Sequence, residues 1–149
     1  MHIVLYKPDI PQNTAAIIRL SACLKLNLHI IEPCGFNLSD TRFKRVVMDY
    51  MGMSEICRYD GYDSFLKKHK NSRIVLMTTK AKKLYHRFKF KKNDMLLFGR
   101  ESAGVPEILH KTIKNKIKVP MNKKTRSLNV AMSVAIISSE ALRQNNLLK

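Results

Sequence analysis

Acidic residues are scarce in this chain, 11 Asp+Glu against 28 Lys+Arg in 149 residues, and glycine is scarcer still, with five. The glycine count leaves no GxGxxG and no phosphate-cradling P-loop, so the usual dinucleotide and nucleotide fingerprints are excluded. There is no GxSxG elbow and no Cys–His pair at a telling spacing. Three cysteines, Cys23, Cys34 and Cys57, form no CxxC and leave one unpaired, which points to reduced thiols in a cytoplasmic protein. The five histidines are scattered, and no His/Cys/carboxylate group has metal-ligand spacing, so no metal is expected. No apolar run approaches the roughly 20 residues of a membrane span, and Met1 to Leu5 reads as a strand, not a signal peptide.

What is present is positive charge. The formal net charge is +17, a field that attracts polyanions and supplies salt-dependent affinity for nucleic acid. Lysine drift in an AT-rich genome is the bland alternative. Clustering argues against it: Lys80, Lys82, Lys83, Arg87, Lys89, Lys91 and Lys92 crowd one segment, and Lys123, Lys124 and Arg126 another. Tyr85, Phe88 and Phe90 interleave the first cluster, either as a base-stacking surface or as core anchors of a strand.

Short apolar runs alternate with helix-period segments. Strands are expected at His2–Tyr6, Leu28–Ile31, Glu55–Tyr59, Ile74–Thr78, Met95–Phe98 and Lys116–Val119. Helices are expected at Thr14–Lys25, Asp40–Met48, Tyr62–Lys68, Pro106–Lys111 and Ser127–Gln144. The pattern implies one α/β domain over residues 1–149: a parallel sheet flanked by helices on both sides. Ligands of such sheets sit beyond the carboxyl ends of strands, which directs attention to the loops after Tyr6, Thr78, Phe98 and Val119.

The first loop is stiffened by Pro8 and Pro11, and Asn13 or Thr14 can cap the helix behind it. Arg19 then interrupts an apolar stretch. It is either half of a structural ion pair with Asp9 or Glu32, or a guanidinium aimed at a phosphate or substrate oxygen. In Phe98-Gly99-Arg100-Glu101-Ser102-Ala103-Gly104-Val105-Pro106, Gly99 permits close approach of backbone to a ligand and Gly104 a turn, although an ordinary β-to-α turn reads the same way. The last helix, Val130 to Leu142, is apolar on nearly every face and is expected to need a partner chain. The residues alone lead to a basic α/β domain with a loop-built site, acting on nucleic acid.

Four stretches in order, "IVLYKPDIPQNTAAIIRL" (Ile3 to Leu20), "LHIIEPCGF" (Leu28 to Phe36), "LLFGRESAGVP" (Leu96 to Pro106) and "IKVPM…RSLNVAMSVA" (Ile117 to Ala135), resemble the SPOUT methyltransferases. More narrowly, the chain is similar to the small bacterial tRNA (cytidine/uridine-2′-O-) methyltransferases that modify the wobble nucleotide. The resemblance implies a C-terminal trefoil knot, with the cofactor site within roughly residues 75–149, and a homodimer with sites at its interface. It implies S-adenosyl-L-methionine as cofactor, leaving as S-adenosyl-L-homocysteine, held by Met77, Thr78, Gly99, Glu101, Val119, Met121, Ser127, Leu128 and Asn129. Arg19 is implied to position the ribose–phosphate and stabilise alkoxide charge, and Asn13 to hold the active-site loop. Arg126, Lys123, Lys124, Lys82 and Lys83 are expected on tRNA, an inference from charge as much as from resemblance. Methylation of another tRNA or rRNA position, or RNA binding without catalysis, are the competing readings. Ala15 and the pair Ala131-Met132 depart from the common family pattern and motivate the last of these. Ser139, where some relatives carry an aromatic, bears on dimer packing.

Overall fold

Residues 1–53 and 55–148 are described by a computed structural model. In chain order the elements are β1 (His2–Tyr6), α1 (Pro11–Cys23), β2 (Asn27–Ile31), α2 (Thr41–Met51), β3 (Ile56–Tyr59), α3 (Tyr62–Lys68), β4 (Ile74–Met77), β5 (Lys83–Leu84), β6 (Met95–Phe98), α4 (Glu107–Thr112), β7 (Asn115–Lys118) and α5 (Val130–Gln144). A single 3-10 turn, Tyr85–Arg87, follows β5. The strands form one sheet in the order β3-β2-β1-β6-β4-β7-β5, every neighbouring pair parallel.

Alternation along each strand divides the core into two layers. Ile3, Leu5, Leu28, Ile30, Leu96 and Phe98 face α1, α2 and α5, meeting Ile17, Ile18, Phe43, Val134 and Ile137. Val4, Tyr6, Ile31 and Leu97 face the other way, onto Phe65 of α3 and Leu109 of α4. The expected two-sided parallel sheet is therefore present. Among the described residues no helix is long and apolar enough to cross a membrane.

Several boundaries differ from expectation for local reasons. The first helix begins at Pro11, not Thr14: proline sits in its first turn, Ile10 is the N-cap, and no side chain caps it. Asn13 and Thr14 are thus inside the helix. The last helix begins at Val130, not Ser127, because the Asn129 side chain caps it by accepting from Ala131 N (2.8 Å) and Met132 N (3.2 Å). β5 has only two residues and carries no periodicity to read. Phe88 and Phe90 are core anchors, buried with their rings 5.0 Å apart, and are not a stacking surface for bases.

α5 buries Ala131, Val134, Ile137, Ser138, Ala141 and Leu142 in its own chain, so much of its apolar character is already covered. Met132, 55% exposed, stands on the uncovered side.

A second polar feature ties β1, β2, β3 and α3. Asn27 donates to His2 Nδ1 (3.5 Å), which also meets His29 Nε2 at 3.0 Å. His29 Nδ1 lies 2.9 Å from the Tyr59 hydroxyl, which lies 2.9 Å from His69 Nε2. Read from the Asn27 amide, one consistent polarity follows: His69 donates to Tyr59, Tyr59 to His29, and His29 to His2, with all three imidazoles neutral. Burial, reinforced by the neighbouring His2, brings the His29 pKa down to about 4; those of His2 and His69 are also lowered, mainly by burial.

Candidate active site

β1 and β6 lie side by side, yet the chain leaves β1 for β2 on one side and leaves β6 for β7 on the other. That reversal opens a crevice at the carboxyl ends of the strands. Loops after β1, β4, β6 and β7 converge there around a cavity of about 540 Å3.

The β6 loop is folded tightly on itself. Arg100 N donates to Gly104 O (3.1 Å) and Gly104 N to Arg100 O (2.8 Å), with Gly104 at φ +67°. A Cβ on Gly99 would sit 2.5 Å from the Gly104 carbonyl carbon, so this position is closed to any side chain. The close approach expected of Gly99 is thus made to Gly104 backbone.

Asp9, from the β1 loop, clamps this turn. Its carboxylate accepts from the Arg100 guanidinium and from both the hydroxyl and the amide of Ser102. The Arg100 guanidinium is the main reason its pKa falls to about 2. Glu101 ties the same loop to α1. Its Oε2 accepts from Asp9 N (2.8 Å) and its Oε1 from Asn13 Nδ2 (2.9 Å). Asn13 Oδ1 in turn accepts from Asn129 Nδ2 (2.9 Å). A continuous seam runs from the β1 loop through Glu101 and Asn13 to the cap of α5. Because α1 starts at Pro11, the Asn13 amide is free of capping duty and both its ends are committed to this seam.

Asn13, Met77, Thr78, Gly99, Glu101, Val119, Met121, Ser127, Leu128 and Asn129 all line the cavity. Sequence reasoning placed Lys80 only in a basic cluster and missed His110 and Lys118; all three line the cavity. Lys80 pairs with Glu107 at 3.1 Å, and burial followed by the Lys80 charge lowers the His110 pKa. It also missed the Asp9–Arg100 clamp, whose partners lie 91 positions apart. The only available signal was opposite charge on two loops already under suspicion.

Arg19 is not among the lining residues. It is exposed on α1 with its guanidinium 5.0 Å from the Tyr50 ring centroid. Neither candidate ion pair forms: Asp9 holds Arg100, and Glu32 holds Arg58. Lys123, Lys124 and Arg126 are exposed on the loop after β7, beside the cavity mouth; Lys82 and Lys83 are exposed around β5. Among the described residues no three His, Cys, Asp or Glu side chains gather as a metal-binding group.

The cavity therefore combines apolar walls, one carboxylate, fixed amides and the basic side chains Lys80 and Lys118, a lining suited to a nucleoside-like ligand. Known proteins share this fold over nearly the whole chain. A tRNA (cytidine(34)-2'-O)-methyltransferase of Beijerinckia indica is 44% identical over 144 residues, covering 95% of this chain and 90% of its own. A solved structure described as giving insights into the 2-OH methylation of C/U34 on tRNA superposes with TM-score 0.92 at 36% identity, covering 97% of this chain and 95% of that one. A SpoU methyltransferase from Streptomyces viridochromogenes, in complex with the cofactor AdoMet, shares the fold at TM-score 0.86 and 21% identity, covering 98% of this chain and 58% of that one. The profile of the SpoU rRNA Methylase family matches residues 1–139, and the chain belongs to that family.

Proposed function

We propose that this protein transfers a methyl group from S-adenosyl-L-methionine to the ribose 2′-hydroxyl of the wobble cytidine or uridine in the tRNA anticodon loop. The observation that carries this reading is the convergence of Asn13 and the nine expected cofactor residues on one cavity, in a chain 44% identical to a tRNA (cytidine(34)-2'-O)-methyltransferase. The residues present fit the cofactor. Met77, Val119, Met121 and Leu128 supply apolar walls for a flat base, and Glu101 supplies negative charge suited to a sulfonium. When bound, the cofactor supplies a methyl group already activated for transfer.

The chain's own task is then placement and charge. Asn13, held at both amide ends, fixes the distance between the β6 loop and the start of α5. Arg19 positions the ribose–phosphate and stabilises charge developing on the attacking oxygen. Its exposure on α1 leaves the guanidinium accessible to an RNA phosphate. Arg126, Lys123, Lys124, Lys82 and Lys83 supply phosphate contacts that set affinity and orientation without reading sequence.

We further infer a homodimer and a trefoil knot in the C-terminal part. Exposed Met132, Leu128 and Ile10 offer apolar surface beside the cavity for a second copy. The placing of β4 between β6 and β7, with α5 returning to pack on α1, suits a threaded chain. A tRNA substrate suits a cytoplasmic enzyme.

The experiment is methylation of unmodified tRNA by the purified protein, with the modified nucleotide mapped. A 2′-O-methyl group at the wobble position is expected. Modification elsewhere, or none, overturns the proposal.

A further inference from the structure

Across the first turn of α1 from the cavity lies a second hollow of about 400 Å3 that the chemistry above does not use. Gln12 of α1, Phe36 and Asn37 from the loop after β2, and Arg42, Phe43 and Val46 of α2 line it. The Phe36 and Phe43 rings are 5.2 Å apart and tilted by 46°. Phe43 is core, whereas Phe36 is only half-buried. Val46 is 70% exposed, an apolar side chain with little cover in its own chain.

The surroundings are largely cationic, with one carboxylate in the lining, Asp40, whose Oδ1 lies 3.6 Å from Arg42 Nε. Arg42, Lys44 and Arg45 are all exposed on α2, and the Arg42 side chain is 93% accessible. On α1 the exposed positions Gln12, Ala16 and Arg19 fall at i, i+4 and i+7, hence on one helix face. The basic face of α2 thus borders the hollow, and Arg19 lies about two turns further along the α1 face that Gln12 brings to it.

A half-buried aromatic ring, amide side chains and nearby guanidinium groups are the means by which proteins hold splayed bases of single-stranded RNA loops. The amides narrow the choice of base. Asn37 Oδ1 already accepts from Ser39 N at 2.8 Å, which leaves Nδ2 as a donor. Pyrimidine O2, an acceptor common to cytosine and uracil, suits that donor. The Gln12 amide, on an exposed side chain, can turn either end toward the edge that distinguishes the two bases. We propose that this hollow is a subsite for one unstacked pyrimidine of the substrate RNA loop, stacked on Phe36 while the reacting ribose lies at the neighbouring cavity. The inference rests on the RNA-methyltransferase reading given above.

Two arms test it. In the first, Val46→Glu places a carboxylate on the open side of the hollow and Gln12→Ala removes the movable amide; both positions are exposed, so the fold is kept. For an anticodon stem-loop RNA, kcat/KM is expected to fall roughly tenfold or more in Val46→Glu and a few-fold in Gln12→Ala. S-adenosylhomocysteine affinity and oligomeric state should stay unchanged. Unaltered kcat/KM in both variants overturns the subsite. A changed oligomeric state in Val46→Glu assigns the hollow to a second copy of the chain and overturns it equally. The second arm needs no catalysis: a single-stranded RNA hexamer carrying pyrrolocytidine is titrated with wild type and with Phe36→Leu. Fluorescence quenching that is lost in Phe36→Leu supports the subsite; equal quenching by both overturns it. If quenching behaves as expected but wild type methylates no RNA, the subsite stands and the functional reading fails.

Discussion

Two polar networks cross this sheet, and they are built for opposite ends. The string His2–His29–Tyr59–His69 joins β1, β2, β3 and α3 through rings packed against Phe65. It opens onto neither cavity, and its members are held neutral. The seam Asp9–Glu101–Asn13–Asn129 joins loops around an open cavity, and the Arg100 guanidinium holds the Asp9 carboxylate well below the usual range. The first uses hydrogen bonds to satisfy groups that burial would otherwise penalise. The second uses them to hold otherwise mobile loops at fixed distances, which is what a transfer reaction needs. Similar side-chain chemistry thus yields a pH-sensitive brace in one place and a preorganised site in the other.

The largest expected effect falls on the functional side. Arg19→Ala should lower methyl transfer by about 10²–10³-fold, the usual range for removing one transition-state donor. S-adenosylhomocysteine binding, read by calorimetry, should be nearly unaltered because Arg19 lies outside the cavity. Loss of cofactor binding would mean that Arg19 acts through structure.

Acid should act first on the buried string. The folded His29 pKa, about 4, lies below its unfolded value near 6.5, so the unfolded chain binds more protons between these limits. The stability contribution is complete above about pH 6.5 and is lost as pH falls toward 4, on the order of 2–3 kcal/mol. Urea midpoints across this range should fall in wild type and flatten in His29→Gln. The Asp9 clamp should barely respond there, because its contribution is complete above the unfolded carboxylate pKa of 3.8 and is lost as pH falls from that value through about 2.

Gly99→Ala should cost about 1–3 kcal/mol by forcing the Gly104 backbone away, and should weaken S-adenosylhomocysteine binding with it. Thermal unfolding and calorimetry check the two together. Asn129→Ala removes a cap worth about 1 kcal/mol and also one end of the seam, so activity should fall by more than the stability change explains. The smallest effects belong to the outer charges. Replacing Lys123 or Lys124 with Ala should weaken RNA binding uniformly across sequences and reduce the salt slope by about 1 each.

Much of this was readable from the chain, for identifiable reasons. Strands such as Met95–Phe98 are short apolar runs between turn signals, and all four residues are buried. Pro106 and Gly104 marked the turn into α4. The loops leading to the cavity followed from the parallel-sheet rule, and the residues within them from resemblance. What escaped was non-local or too short to be periodic. Asn13 looked like a helix cap because its type favours that role, yet Pro11 starts the helix earlier and frees the side chain for partners 88 and 116 positions away. Phe88 and Phe90 read equally as stacking groups or core anchors because lysines surround them in sequence, and only their packing against the core decides for the second. The hollow at Phe36 joins three segments that share no motif.

The seam also has a bearing on how the protein comes into being. Asn129 lies 116 positions after the Asn13 it bonds. A nascent chain can complete β1, α1 and β2 early, yet the cavity gains its last wall only after the start of α5 has left the ribosome. Contacts of such long sequence separation form late and slowly. Cofactor binding is therefore an outcome of finished synthesis, and a ribosome-bound chain stalled before Asn129 should capture none.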